Sequence, residues 1–200
     1  MANAYDVVRA FECAIAEYTG APYAVSTESC SSAILLCCML EKVSTIEEVL
    51  VPKRTYPSVP SSIVLAGGRV KFMDIEWQHT GMYQLCPTDI IDSAKCLIPD
   101  MYIPGTLTCL SFHGKKGLKI GRGGMILTDS VDKRDWLKCA RFDGRHECAL
   151  IEDRLAGIGL NCYMSPEQAA RGLELFQWYK GAILPPDEYP DLSQYGFYHA

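Results

Sequence analysis

The chain has 200 residues, 48% of them hydrophobic and 22% charged, with a formal net charge of −5 at pH 7. These values describe an ordinary globular domain and exclude disordered, collagen-like and coiled-coil readings. The acidic balance, the shortness of every Lys/Arg cluster and the lack of an apolar run near the ~20 residues of a bilayer span leave neither nucleic acid nor membrane as an expected partner.

From the N-terminus, Met1 to Asp6 carries no basic region followed by an apolar stretch. No signal peptide is expected, and the chain reads as cytoplasmic. Val7, Val8, Phe11, Ala14, Ile15 and Tyr18 recur at helical spacing over residues 5–19, and Gly20 stops the pattern. Tyr23 to Val25 reads as a short strand, and Ser29-Cys30-Ser31-Ser32 opens an apolar helix from Ala33 to Leu40. Residues 48–51 form a buried strand ended by Pro52. Thr55 to Ala66 is helical behind a Pro-rich entry, Gly67-Gly68 stops it, and Val70 to Ile75 is a strand. Strand, helix, strand in succession implies an α/β architecture with parallel pairing.

Residues 76–88 are polar and irregular in pattern, with Gly81 and Pro87. Asp89 to Ala94 resumes an apolar strand that ends on Asp92. Thr106 to Phe112 is a strand leading into a Gly- and Lys-rich turn at 113–124, and Met125 to Thr128 returns as its hairpin-like mate. Residues 133–142 and 165–180 are helical, the second opened by a capping box at Ser165 and Gln168 with Pro166 at the first helical position. A single α/β domain over 1–184 is therefore expected, followed by an extended docking tail at 185–200 carrying Tyr195, Phe197 and Tyr198.

Ten cysteines are many, but none is arranged as Cys-x-x-Cys or at zinc-ligand spacing. They read as small buried hydrophobes in a reducing compartment, with a disulfide framework or a metal site as the alternatives; no metal is expected. His79, His113, His146 and His199 lack ligand spacing. Gly121-Arg122-Gly123-Gly124 leads into a strand rather than a helix, against a dinucleotide fold, and neither a P-loop nor a Gly-x-Ser-x-Gly elbow occurs.

Three features bear chemistry. Ser29 to Ser32 stands between a strand and a helix, where free N–H groups and the helix dipole favour a phosphate, although a serine there is equally a plain N-cap. Asp92 ends an apolar strand, where α/β sheets place ligand-contacting groups; a carboxylate satisfied by backbone is the alternative. Lys115 and Lys116 follow Ser111-Phe112-His113-Gly114, and a lysine in such a turn serves as phosphate clamp, amine nucleophile or surface charge.

The order of these pieces carries more than any one of them. Phe11 to Ser32, Val51 to Asp74, Asp92-Ser93-Ala94-Lys95, SFHGKKGLKIGRGG at 111–124 and GIGLNCYMSPEQAARGLELF at 157–176 together resemble the DegT/DnrJ/EryC1/StrS family, the pyridoxal-phosphate (PLP) sugar aminotransferases of fold type I. The resemblance spans about residues 8–180. It implies the large domain of that fold, a three-layer αβα sandwich on a mostly parallel sheet, reduced and without the small C-terminal domain.

The resemblance further implies PLP as cofactor, with Lys116 the lysine that captures it, and Lys115 out of register. An amine needs a lowered pKa for that role, and Lys115 or the cofactor's own cationic ring is the expected assistant. Asp92 would hold a proton on the ring nitrogen and Tyr56 would stack on the ring. Ser29, the backbone of Cys30 and Ser31, and Ser111 would bind phosphate, with His113 also in contact. Asn161 would reach the site from a second subunit, which implies a homodimer with shared sites.

Some positions depart from the pattern. Lys95 stands where the family has Gln or His near the cofactor's 3′-oxygen, so it would bind the cofactor and stabilise its phenolate, or else point elsewhere; Arg122 replaces an acidic residue and would instead meet a substrate anion. Between Asp74 and Asp92 the chain lacks room for two further strand–helix steps. The implied reaction transfers an amino group from a donor such as glutamate to a keto-sugar nucleotide. The alternatives are a PLP-dependent decarboxylase or lyase, and a non-catalytic PLP-fold dimer.

Overall fold

The computed structural model describes residues 3–185 and 187–199; Met1, Ala2, Pro186 and Ala200, within the ends of the expected domain and tail, lie outside the described residues. Helix α1 (Asp6–Thr19) buries Val8, Phe11, Ile15 and Ala16 on one face and ends at Gly20, whose φ of 74° is the left-handed geometry that closes a helix. Strand β1 (Tyr23–Thr27) follows, then α2 (Cys30–Leu40), β2 (Val49–Pro52), α3 (Ser58–Leu65) and β3 (Val70–Met73). The chain continues through β4 (Tyr83–Gln84), β5 (Ile90–Asp92), β6 (Cys96–Leu97), β7 (Leu107–Ser111) and β8 (Gly124–Thr128). Two helices, α4 (Val131–Ala140) and α5 (Pro166–Phe176), and the short β9 (Ala182–Ile183) complete it. The capping box expected at Ser165 and Gln168 forms, with Pro166 at the first helical position.

The side-chain alternation of the strands divides the interior into two clusters. Val25, Cys109 and Ile126 face α2, α3 and Leu137 of α4. Ala24, Leu110, Met125 and Leu127 face Phe11 and Ile15 of α1 and Ala169 of α5. Helices thus cover both sides of one sheet, the expected three-layer α/β sandwich.

Within that class the sheet is mixed, where mostly parallel pairing was expected. The five-stranded sheet has the order β1-β8-β7-β5-β4. Only β5–β7 is parallel in it; β1–β8, β8–β7 and β5–β4 are antiparallel, while β2–β3 form a parallel pair beside it. The reason is local. The turn at 113–124 folds β8 straight back on β7, and the short stretch before β5 leaves room for no crossover helix, so β4 pairs in the antiparallel sense.

Strand β4 lies in the segment read as irregular. It sets Tyr83 opposite Asp92, and two residues later Cys86 C=O accepts from Leu50 N–H at 2.7 Å, tying β2 to the larger sheet. A two-residue strand has too little alternation to show in a sequence.

The described cysteines form no disulfide; Cys30, Cys37, Cys38, Cys96, Cys109 and Cys162 are buried. No described helix is long and apolar enough to cross a membrane. After β9 the chain runs extended, with 3₁₀ turns at Leu192–Gln194 and Gly196–Tyr198, against its own domain. Leu192 N–H donates to Lys53 C=O at 2.8 Å, and Tyr198 packs on Phe72 and donates to Pro57 C=O at 3.0 Å.

Candidate active site

One cavity of about 630 Å³ opens at the C-terminal end of β5, the N-terminus of α2 and the turn after β7. Ser29, Cys30, Ser31, Tyr56, Asp92, Lys95, Ser111, His113 and Lys116 all line it. Of the expected site residues only Asn161 does not. It is exposed, and its amide donates to Asp143 Oδ2 at 3.0 Å, outside the cavity of its own chain.

Asp92 is the last residue of β5 and is buried. Its Oδ2 accepts from Tyr83 Oη at 2.7 Å and its Oδ1 from Ala94 N–H at 2.9 Å. Tyr83 Oη also meets Thr55 Oγ1 in a short hydrogen bond. Burial pushes the Asp92 carboxyl above its ordinary pKa, against the opposing pull of the Tyr83 and Ala94 hydrogen bonds and of Lys116. One backbone N–H and one buried side-chain hydroxyl thus satisfy its two oxygens.

Lys116 is half-buried in the cavity, whereas Lys115 is exposed at the rim. Burial lowers the Lys116 amine below the ordinary lysine pKa, and the charge of Lys95 lowers it further. The assisting cation is therefore Lys95, not Lys115 as expected: the turn puts Lys115 outward, while Lys95 enters from the stretch after β5.

Ser29 is the N-cap of α2. Its Oγ caps α2 by accepting from Ser32 N–H at 3.1 Å, and the same turn lines the cavity. The N–H groups of Cys30 and Ser31, in the first turn of α2, have no carbonyl four residues back inside the helix to bond. The thiol of Cys30 is buried, and burial together with Asp92 pushes its pKa well up, so it is no nucleophile. Gly124 lets this turn lie directly on β8: a Cβ there would overlap the carbonyl carbon of Ser29 and the amide nitrogen of Cys30. Arg122 stands at the cavity, but its guanidinium is paired with Glu28 at 2.7 Å rather than free for a substrate anion.

Among the lining residues that sequence reasoning did not single out are Trp77, Tyr83, Asp187 and Tyr189. The first two lie in the segment of weak pattern. The others belong to the tail, in which only the later aromatic residues stood out. Tyr189 stacks on Trp77 with ring centroids 6.3 Å apart and meets the edge of the exposed Tyr56 at 6.4 Å. The tail thus walls the cavity of its own chain.

A positive helix terminus, a buried carboxylate, a half-buried amine with lowered proton affinity and an exposed aromatic face around one cavity suit a phosphorylated aromatic aldehyde. A helix N-terminus favours a phosphate, and a buried carboxylate favours a protonated ring nitrogen.

The model of the DegT/DnrJ/EryC1/StrS aminotransferase family matches residues 1–92 and 104–180. The spore coat polysaccharide biosynthesis protein SpsC of Bacillus subtilis is 24% identical over 183 residues, covering 71% of this chain and 47% of SpsC. Among solved structures, a DegT DnrJ EryC1 StrS aminotransferase from Brucella abortus superposes with a TM-score of 0.73 at 18% identity, over 88% of this chain and 59% of that one. Spr1654 of Streptococcus pneumoniae in its PLP form gives 0.69 at 17% identity, over 86% and 59%. The chain therefore spans about half the length of the curated relative and under two thirds of the solved ones.

Proposed function

We propose, for a chain that belongs to the DegT/DnrJ/EryC1/StrS aminotransferase family, that this cavity holds PLP and transfers an amino group from an amino acid such as glutamate to a keto-sugar, carried on a nucleotide. The observation that carries the reading is the convergence of Lys116, Asp92 and the first turn of α2 on one cavity.

When bound, PLP supplies an electrophilic aldehyde and a ring that withdraws electrons from the substrate's α-carbon. Lys116 Nζ, half-buried and with its proton affinity lowered, supplies the neutral amine that fixes the cofactor. It is also the group placed to take up and return a proton at the substrate α-carbon. Asp92 holds the proton on the ring nitrogen, and Tyr83 and Ala94 fix the direction of its two oxygens. The N–H groups of Cys30 and Ser31, with the hydroxyls of Ser29 and Ser111, hold the phosphate. Tyr56 covers one ring face and His113 closes the rim. Lys95 is not needed to hold the cofactor, because its ammonium is engaged elsewhere in the wall.

A homodimer fits this reading. Ile151, Leu155 and Ile158 are exposed on the stretch that leads to Asn161, an apolar surface that a second subunit would cover while receiving Asn161 in its own cavity. Sedimentation then finds a dimer, and Ile158→Asp shifts it towards monomer.

Titration with PLP tests the function. The expected result is a yellow species that borohydride fixes to the wild-type protein and not to Lys116→Ala. Adding glutamate then converts the spectrum to that of the pyridoxamine form. Release of carbon dioxide without that conversion would transfer the reading to a decarboxylase.

A further inference from the structure

Lys95 lies in the wall of the cavity with its side chain only 5% exposed. An ammonium removed from water costs several kcal/mol unless an anion meets it. The anion present is Asp187, whose Oδ2 lies 2.8 Å from Lys95 Nζ and also accepts from Tyr189 Oη at 2.8 Å. The contacts of Asp92 are with Tyr83 and Ala94, and Lys95 makes its ion pair with Asp187.

The pair is unequal. The cation is buried and held beside β6 and β9, where Leu184 N–H donates to Lys95 C=O at 2.8 Å. The carboxylate is 54% exposed and rides on an extended stretch between that bond and the one from Leu192 to Lys53. Neither Lys95 nor Asp187 falls in the stretches the family model matches.

A buried cation with an exposed, exchangeable carboxylate is built as a carboxylate receptor that carries its own occupant. We propose that Lys95 binds the carboxylate of the amino-acid substrate and that Asp187 is the internal stand-in that this carboxylate displaces. The inference rests on the aminotransferase reading for the identity of the ligand. Its physical consequence is competition within the molecule: the apparent affinity for a carboxylate is reduced by the fraction of protein in which Asp187 holds Lys95.

Calorimetric titration of the full chain with succinate, in Tris buffer, with and without saturating PLP, tests it. Asp187→Asn is expected to tighten succinate binding about tenfold, and Lys95→Met to abolish it in either background. Lys95→Gln, which keeps a polar head, is expected to behave as Lys95→Met does. If Asp187→Asn weakens binding or leaves it unchanged, the pair is a fixed strap and the proposal fails. Equal succinate binding by wild type and Lys95→Met also overturns it. The PLP absorbance of the same samples separates the two readings: the succinate pattern without PLP uptake sinks the aminotransferase and keeps the receptor, and PLP uptake without the pattern does the reverse.

Discussion

Tyr83 connects a tertiary detail to the chemistry of one oxygen. Its hydroxyl gives Asp92 one of two hydrogen bonds, and a bond to a charged acceptor contributes about 1.5–3 kcal/mol. Tyr83→Phe should therefore weaken PLP binding at least tenfold, measured by absorbance titration, while leaving borohydride fixation at saturating PLP intact. Lys116 gives a second handle. Its reactive form is the neutral amine, and burial with Lys95 lowers its pKa below 10.5. The rate of PLP capture should rise with pH to a midpoint below that value. Lys95→Met removes a neighbouring positive charge, so stopped-flow absorbance should place its midpoint at higher pH.

Elements set these residues in place through backbone contact more than through side chains. The first turn of α2 crosses β8 where Gly124 leaves no side chain, and β8 is held there by pairing with β1 and β7. Gly124→Ala must push the strand and the helix entry apart. It should lower stability by about 3 kcal/mol in urea unfolding and weaken PLP binding with it. The Ser29 cap, the Asp92 strand end and the α5 capping box were legible in the sequence because each is a local signal. Strand β4 was not, since its two residues are ordered only by pairing with β5.

Across the whole molecule, α1, β1 and α4 are joined beneath the sheet by a buried ion pair. Arg141 Nη1 lies 2.5 Å from Glu12 Oε1 and donates to Ser26 C=O at 2.6 Å, and Nη2 reaches Glu147 at 2.9 Å. Burial opposes ionisation of Glu12, but Arg141, the Ser26 N–H and Lys138 outweigh it, and its pKa falls below 4.5. A carboxylate with a depressed folded pKa stabilises the fold fully above its unfolded value, and that contribution is lost as pH drops through the folded one. Urea midpoints should therefore fall on acidification from pH 4.5, and Glu12→Gln should flatten that slope. The same variant leaves the buried guanidinium with Glu147 as its carboxylate partner and should lower stability at neutral pH.

The sequence by itself determined the helices and longer strands, because these follow from residue periodicity and caps read along a few neighbours, while its resemblance to a family implied the three-layer class and the site residues. Tertiary structure decided what depends on residues distant in the chain. It paired Tyr83 with Asp92 and made the sheet mixed. It put Lys95, rather than Lys115, in the cavity wall as a charge acting on the amine, and it brought Asp187 and Tyr189 back onto their own cavity. Those contacts arise from strand pairing and from the need of a buried charge for a partner, neither of which leaves a mark at a fixed spacing in the chain.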